Sequence, residues 1–485
     1  MKKISIFNIS KIKIICLFSI VACLIIFLIF SFNKVNYYIA KFKNFKNEEI
    51  FSNNNNINKI SFNEYEKSIY QKIDFLAARK NSNLKFENKK NLYIYESKFT
   101  EYEWYLPLLN YYESNQKPTG FVDEWDDNLI IVSGSGQILQ INLEDLKSSI
   151  EQLNDLKVEK RQSNITSLID DENFYGRTWI SVKDILINNN DLYLTYTKNF
   201  KSGNLKKILI ENPEHQKTIA LDDDNCYGLS ILKANLEVDP INFETFLDLN
   251  ECVNSSTPEF TAHLVGGRLI NFGDSFLLTT GDFRTRFLSQ DLNSYFGKIL
   301  QINKSNKSLN IFSTGHRNPQ GLLYDVEKNI ILSTEHGPWG GDEINIIKLN
   351  KNYGWPISSY GRHYCERITP LTEECKQKYL LYPLHKNHSE FGFEEPIKFF
   401  QKSLGISEII KLSSKFSKNN FSYLVSSLGG DEGRQYYFFT LNSNLEVIDE
   451  KKFSSQERVR DIKLSNDNKF IFSIKEDTSK LSVIF

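Results

Sequence analysis

Residues 326–349 read VEKNIILSTEHGPWGGDEINIIKL, and the way this stretch divides decides the fold. A polar turn ends at Asn329. An apolar run begins at Ile330, a loop of glycines and one proline follows from Gly337, and a second isoleucine-rich run begins at Asp342. β-branched runs bounded by Gly and Pro read as two strands joined by a loop. The unit recurs as DDNLIIVSGSGQILQINL from Asp126, as NNDLYLTYTKNF then LKKILI from Asn189, and as FGDSFLLTTGDF then FGKILQI from Phe272. It returns as KNNFSYLVSSLGG then QYYFFTL from Lys418, and as SNDNKFIFSIKED then LSVIF from Ser465, which makes six copies at uneven spacing. A two-strand unit cannot bury both its faces alone, so such units stack or close into a ring. The long loops disfavour a compact solenoid. The pattern predicts an all-β, six-bladed β-propeller over residues 91–485, with loops gathered at one end of a central channel. A pair of β-sandwiches is the alternative the same pattern admits.

The segment ahead of these repeats has a different texture. Residues 14–32 carry no charge and are long enough to cross a bilayer as a helix. The run ends in Phe rather than in the small residues of a signal-peptidase site, so residues 1–32 read as a retained N-terminal transmembrane anchor. Residues 33–90 read as a polar stalk, with Asn53, Asn54, Asn55 and Asn56 in a row, followed by one amphipathic helix. Phe62, Tyr65, Ile69, Ile73 and Leu76 recur at helical spacing, behind a capping box of Ser61 and Glu64.

Lysines flank the span on both sides and barely orient it; the cysteines do more. Cys226, Cys252, Cys365 and Cys375 lie beyond the span, and the last two bracket CERITPLTEEC as a loop disulfide would. Paired, they indicate an oxidising compartment; four reduced core thiols are the other reading. The expectation is a single-pass inner-membrane protein with its propeller in the periplasm. With 59 basic and 60 acidic residues, nucleic acid is not the expected partner.

Five segments hold the chemistry: TAHLVGGRL (261–269), TTGDF (279–283), STGHRNPQG (313–321), TEHGPWGGDEINII with NYGWP (334–356), and ERVRDI (457–462). In STGHRNPQG an imidazole, a guanidinium and two amides sit side by side, more polar groups than a turn requires. Across GHRNPQG, EHGPWGGDEIN and NYGWP, in that order, residues 120–480 resemble the soluble quinoprotein glucose dehydrogenases and aldose sugar dehydrogenases. These form the glucose/sorbosone dehydrogenase family, whose fold is a six-bladed propeller.

The resemblance implies oxidation of an aldose at its anomeric carbon, with hydride passing to pyrroloquinoline quinone held on calcium. That cofactor carries three carboxylates and a quinone, which suit forked cationic donors. By resemblance, Arg317 and Asn318 lie at the quinone oxygens, Arg458 and Arg460 grip carboxylates, and Gly337 and Pro338 offer calcium their backbone carbonyls. His263 is the expected general base, with Asp282 orienting it, so His263, Asp282 and Arg317 form the catalytic set. His316 and His336 fit framework positions better.

The chain departs from the family pattern in two places. Three residues, not the usual two, separate His263 from Gly267-Arg268. Where the family often carries a lysine after the strand YLVSSL, this chain reads GGDEGR (429–434). Arg434 is the cation in that segment, while Asp431 and Glu432 beside a tricarboxylate would repel it. The competing reading is a propeller that has lost the quinone and binds carbohydrate or protein. A lactonase-type hydrolase would need carboxylates converging at the bottom of the channel. The expected partners are a small sugar and, since no Cys-x-x-Cys-His haem site occurs, a separate electron acceptor.

Overall fold

The computed structural model describes residues 83–485 apart from 95–96, 107–118, 170, 172–173, 175–179, 201–205, 208–224, 256–259, 368 and 420. The expected anchor and amphipathic helix, and the stalk up to residue 82, lie outside the described residues. Among the described residues no helix is long and apolar enough to cross a membrane.

Six antiparallel sheets are built around six inner strands: Gly120–Trp125, Val182–Asn188, Gly266–Phe272, Pro319–Asp325, Ile406–Lys411 and Val459–Leu464. Each inner strand packs beside the next, and Val459–Leu464 meets Gly120–Trp125, so the ring closes as a six-bladed propeller. The repeated sequence unit supplies the second and third strands of a blade. In the opening stretch, Ile330–Glu335 pairs with Asp342–Ile347 in a register that sets Leu332 opposite Ile346 and Thr334 opposite Ile344. Leu332 and Ile344 pack with Ile406, Ile409 and Val425 of the following blade, so the apolar positions of one unit are covered by its neighbour.

The last blade takes strands from both ends of the described chain. Its order is Phe86–Ile94, Ser97–Tyr105, Lys480–Ile484, Ile471–Lys475, Val459–Leu464, so the propeller sheet begins before residue 91. A buried charge cluster joins its two halves: Lys475 Nζ lies 2.7 Å from Glu101 and 2.6 Å from Glu103. Burial would push the Glu103 carboxyl up, but Lys475 and Lys90 outweigh it and hold it down at about 2.

Two expectations are corrected. LKKILI does not follow Asp191–Asn199 in its blade; that strand pairs with Cys226–Asn235 along its full length. Of LKKILI, Lys206–Lys207 lies at the far edge of the sheet, parallel to Glu251–Asn254. The longer run is almost wholly buried, and a Cys226–Cys252 disulfide ties it to Glu251–Asn254. Likewise STGHRNPQG is a loop only over residues 315–318, since Ser313 and Thr314 end the strand Leu309–Thr314 and Pro319 opens an inner strand. The inner strands escaped the pattern because they carry charged side chains towards the axis, which breaks the apolar alternation.

Arg268 is the hub of that axis. Its Nη1 lies 2.8 Å from Asp184, 2.6 Å from Asp461 and 2.8 Å from Glu408. Its Nε donates to the Gln320 carbonyl at 2.6 Å, and its guanidinium sits 5.3 Å from the Phe121 ring centroid. One side chain therefore touches every inner strand. The carboxylates that converge here are engaged by Arg268, unlike the open set a lactonase-type site needs. The Cys365–Cys375 disulfide is present, with Cα atoms 5.6 Å apart.

Candidate active site

A cavity of about 380 Å³ lies at the channel, lined from five of the inner-strand segments and the loops that precede or join them. His263, Arg317, Asn318, Gly337, Pro338, Arg458 and Arg460 all line it. Of the residues expected from sequence, Asp282 alone does not.

Two of the motifs hold each other. Glu335, at the end of Ile330–Glu335, accepts from the backbone N–H of Arg317 and, at 3.3 Å, of Asn318. The same carboxylate lies 3.0 Å from His316 Nδ1, while His316 Nε2 lies 2.8 Å from Ser313 Oγ. His316 is therefore a framework residue, fully buried, that fixes the loop carrying Arg317. The Arg317 Nη1 donates to the His336 carbonyl at 3.0 Å, and its guanidinium stacks 5.4 Å from the Trp355 ring centroid.

Asp282 is 0% exposed and acts from beneath. Its Oδ2 accepts from Trp355 Nε1 at 2.8 Å and its Oδ1 from the Arg284 N–H at 2.8 Å. Burial pushes its carboxyl up, against Arg317 and these hydrogen bonds. It thus joins TTGDF to NYGWP and holds the ring on which Arg317 rests.

Arg458 and Arg460 share one buried carboxylate. Their Nε atoms lie 3.0 and 2.7 Å from the two oxygens of Glu476, which is 0% exposed. Arg460 Nη1 also donates to Gln320 at 3.1 Å, and Gln320 Nε2 donates to Asn318 Oδ1 at 3.0 Å. The two guanidiniums are thereby fixed with their remaining N–H groups available to the channel. At the opposite wall, Asp342 accepts from the Gly337 N–H at 3.1 Å and from Leu404 and Gly405 at 2.9 and 2.6 Å. It fastens the turn carrying Gly337 and Pro338 to the next blade.

His263 is exposed to the channel. Desolvation first, then Lys183, Arg460, Arg284 and Arg458, push its imidazole down to about 3, so it is neutral across the physiological range. His336 also lines the cavity, and burial lowers it too.

The GGDEGR segment differs from expectation. Gly429 lines the cavity, but Arg434 does not: it pairs with Asp477 and its side chain is 41% exposed. Glu432 turns away to Lys452, and neither it nor Asp431 lines the cavity. Two cations that sequence reasoning missed do line it, Lys183 and Arg284. Lys183 stands in the inner strand Val182–Asn188, where a charged residue in an apolar run was the available signal.

Five cationic side chains, Lys183, Arg284, Arg317, Arg458 and Arg460, thus line one cavity, and among the described residues no Asp or Glu lines it. Such a donor set demands an anion of several charges, and a tricarboxylate fits it. Among the described residues no cluster of three or more His, Cys, Asp or Glu could hold a metal. A cation here would depend on backbone oxygens such as those of Gly337 and Pro338 and on the oxygens of a bound ligand.

The glucose/sorbosone dehydrogenase family profile matches residues 117–483. This chain belongs to that family. Curated relatives include the aldose sugar dehydrogenase YliI of Escherichia coli (strain K12), 26% identical over 235 residues, 45% of this chain and 59% of that protein. The quinoprotein glucose dehydrogenase B of Acinetobacter calcoaceticus is 42% identical over 78 residues, 14% of this chain and 16% of that one. The matched stretches therefore span less than two thirds of either relative.

Among solved structures, a glucose dehydrogenase superposes with a TM-score of 0.54 at 18% identity, over 75% of this chain and 95% of that chain. The apo-form of the soluble aldose sugar dehydrogenase of Escherichia coli superposes with a TM-score of 0.52 at 17% identity, over 76% and 95%. At these identities the superpositions show the shared propeller fold.

Proposed function

We propose that this member of the glucose/sorbosone dehydrogenase family oxidises an aldose at its anomeric carbon, with pyrroloquinoline quinone and calcium held in the channel. The observation that carries the reading is the cavity lined by five cationic side chains, with a neutral imidazole exposed to it and no Asp or Glu among its described lining residues. Bound there, the quinone supplies the hydride acceptor.

The chain's own residues do the rest. Arg317 and Asn318 present donors where negative charge develops, so they stabilise the transition state more than the ground state. Arg458 and Arg460, braced by Glu476, bind carboxylates and fix orientation. His263 Nδ1 or Nε2 accepts the proton of the anomeric hydroxyl. An imidazole held at about 3 is a weak acceptor, but an anion entering among the same four cations offsets their effect and raises its basicity. Gly337 and Pro338 are the backbone groups that would hold calcium.

The competing reading, a binding propeller without the quinone, requires carboxylates or bulk in the cofactor slot. The outward pairing of Glu432 with Lys452 argues against it. We propose further that the uncharged segment 14–32 anchors the protein in the inner membrane with the propeller in the periplasm; the disulfides Cys226–Cys252 and Cys365–Cys375 support an oxidising compartment. Electrons then pass to a separate acceptor.

Calorimetric titration of the full chain in detergent with pyrroloquinoline quinone, in excess calcium, tests the reading. Saturable binding that is lost in Arg317→Ala supports it. A folded protein that takes up no quinone refutes it.

A further inference from the structure

Lys183 reaches the channel from a blade that no sequence motif marks. Its inner strand, Val182–Asn188, packs beside Gly266–Phe272, and the two meet closely at one point. A Cβ added at Gly267 would stand 2.4 Å from Lys183 Cβ and 3.1 Å from its Cγ, and Gly267 has a φ of +109°. Gly267 of HLVGGRL is therefore the residue that makes room for the Lys183 stem. From that gap Lys183 Nζ donates to the Ala262 carbonyl at 3.4 Å, next to His263. Asp184, the next residue on the strand, instead engages Arg268 on the axis.

From geometry and charge together, we infer that Lys183 is a cofactor-binding residue whose ammonium holds a carboxylate of the bound quinone. The inference rests on the proposed quinone reading. The cations facing Lys183 are Arg460 and Arg458 from the last blade and Arg284 beyond His263; His263 itself is neutral; Phe121 and Thr119 face it from the first blade. Glu476 offsets Arg458 and Arg460 from beneath, while among the described residues no Asp or Glu lines the cavity itself. Burial first, then Arg460, push the ammonium down to about 7. A carboxylate arriving beside it restores an ordinary lysine and draws a proton from solvent. Lys183 also lies on the other side of the channel from GGDEGR, so it provides a lysine contact where Arg434 and Gly429 do not.

The test is calorimetry of the full chain with pyrroloquinoline quinone and calcium at several pH values between about 6 and 9, a range that spans the lowered titration of the lysine, in buffers of differing ionisation enthalpy. The wild type is expected to take up a proton fraction on binding. Lys183→Met is expected to lose most of that uptake, bind roughly tenfold or more weakly, and show a shallower salt dependence. Lys183→Gln, which keeps a donor without the charge, should behave as Lys183→Met does. Thermal unfolding of both variants should match or exceed the wild type, since each removes an ammonium from a desolvated site.

Equal affinity and equal proton uptake in the wild type and both variants would overturn the Lys183 assignment and leave the quinone reading standing. Absence of quinone binding in the wild type would overturn both. Weakened binding with unchanged proton uptake would also overturn the assignment, because it would trace to shape rather than to the ammonium.

Discussion

Trp355 shows how one side chain serves two neighbours. Its Nε1 donates to the buried Asp282 and its ring carries the Arg317 guanidinium. Trp355→Phe keeps a ring and removes the donor, so Asp282 is left short of a partner in a buried setting. Denaturant unfolding should register a loss of about 1–3 kcal/mol, with quinone affinity changed little. Trp355→Ala also removes the platform and should weaken quinone binding as well, which separates the two contributions in one calorimetric series. His263→Gln tests a different role: turnover should fall by roughly 10²–10⁴ while quinone affinity stays within a few-fold, as expected of a group that handles only a proton. At this scale the sequence was legible wherever a motif packed polar residues together, as at His263, Arg317, Asn318, Arg458 and Arg460. Lys183 and Arg284 were not legible, because what makes them site residues is the fold bringing separate blades to one cavity. Arg434 was plausible by position along the chain and is excluded by its partner, Asp477.

Strands and turns carry the next set of consequences. The turn at Gly337 brings its Cα so near the Gly340 and Gly341 carbonyls that an added Cβ would stand 2.2 and 2.3 Å from them. Gly337→Ala must open the turn and shift the Gly337 and Pro338 carbonyls. The calcium needed for half-maximal quinone binding should rise roughly 10–100-fold, read by titrating calcium at fixed quinone. In the blade that closes the ring, Lys475→Met removes the fully buried cation shared by Glu101 and Glu103 and leaves them only the partly exposed Lys90 in common. Unfolding stability should drop by about 3–5 kcal/mol, measured by denaturant titration. The repeat pattern disclosed the second and third strands of nearly every blade, since those alternate apolar residues against a neighbour. It missed the inner strands, whose outward-facing apolar residues are interrupted by Lys183, Asp184, Arg268, Glu408, Arg460 and Asp461. It also mistook LKKILI for the partner of Asp191–Asn199, because local alternation cannot reveal that a longer buried run, Cys226–Asn235, lies further along the chain.

The molecule as a whole is organised around Arg268 and the channel above it. Burial, reinforced by mutual repulsion, outweighs Arg268 and pushes Asp184 up to about 7 and Glu408 up to about 8. Unfolded carboxyls titrate near about 4, so between that pH and 8 the folded state holds protons that the unfolded chain releases. The cluster's contribution to stability is therefore greatest in acid and declines as pH rises through 7 and 8. The margin by which the wild-type melting temperature exceeds that of Asp184→Asn should shrink between pH 6 and pH 8.5; a margin that stays constant would refute the assignment. The family and its propeller were legible because GHRNPQG, EHGPWGGDEIN and NYGWP are bound to one another across blades, as Glu335 with Arg317 and Asp282 with Trp355 demonstrate. The cationic lining of the channel was not, because it is a property of five side chains from separate blades. The most direct test of the central claim is anaerobic absorbance of the full chain loaded with pyrroloquinoline quinone and calcium as a panel of aldoses is added. Stoichiometric conversion of the bound quinone to its reduced form by at least one aldose is expected, slowed roughly 10²–10⁴-fold in His263→Gln. A chain that binds the quinone tightly yet leaves it oxidised with every aldose would contradict that claim.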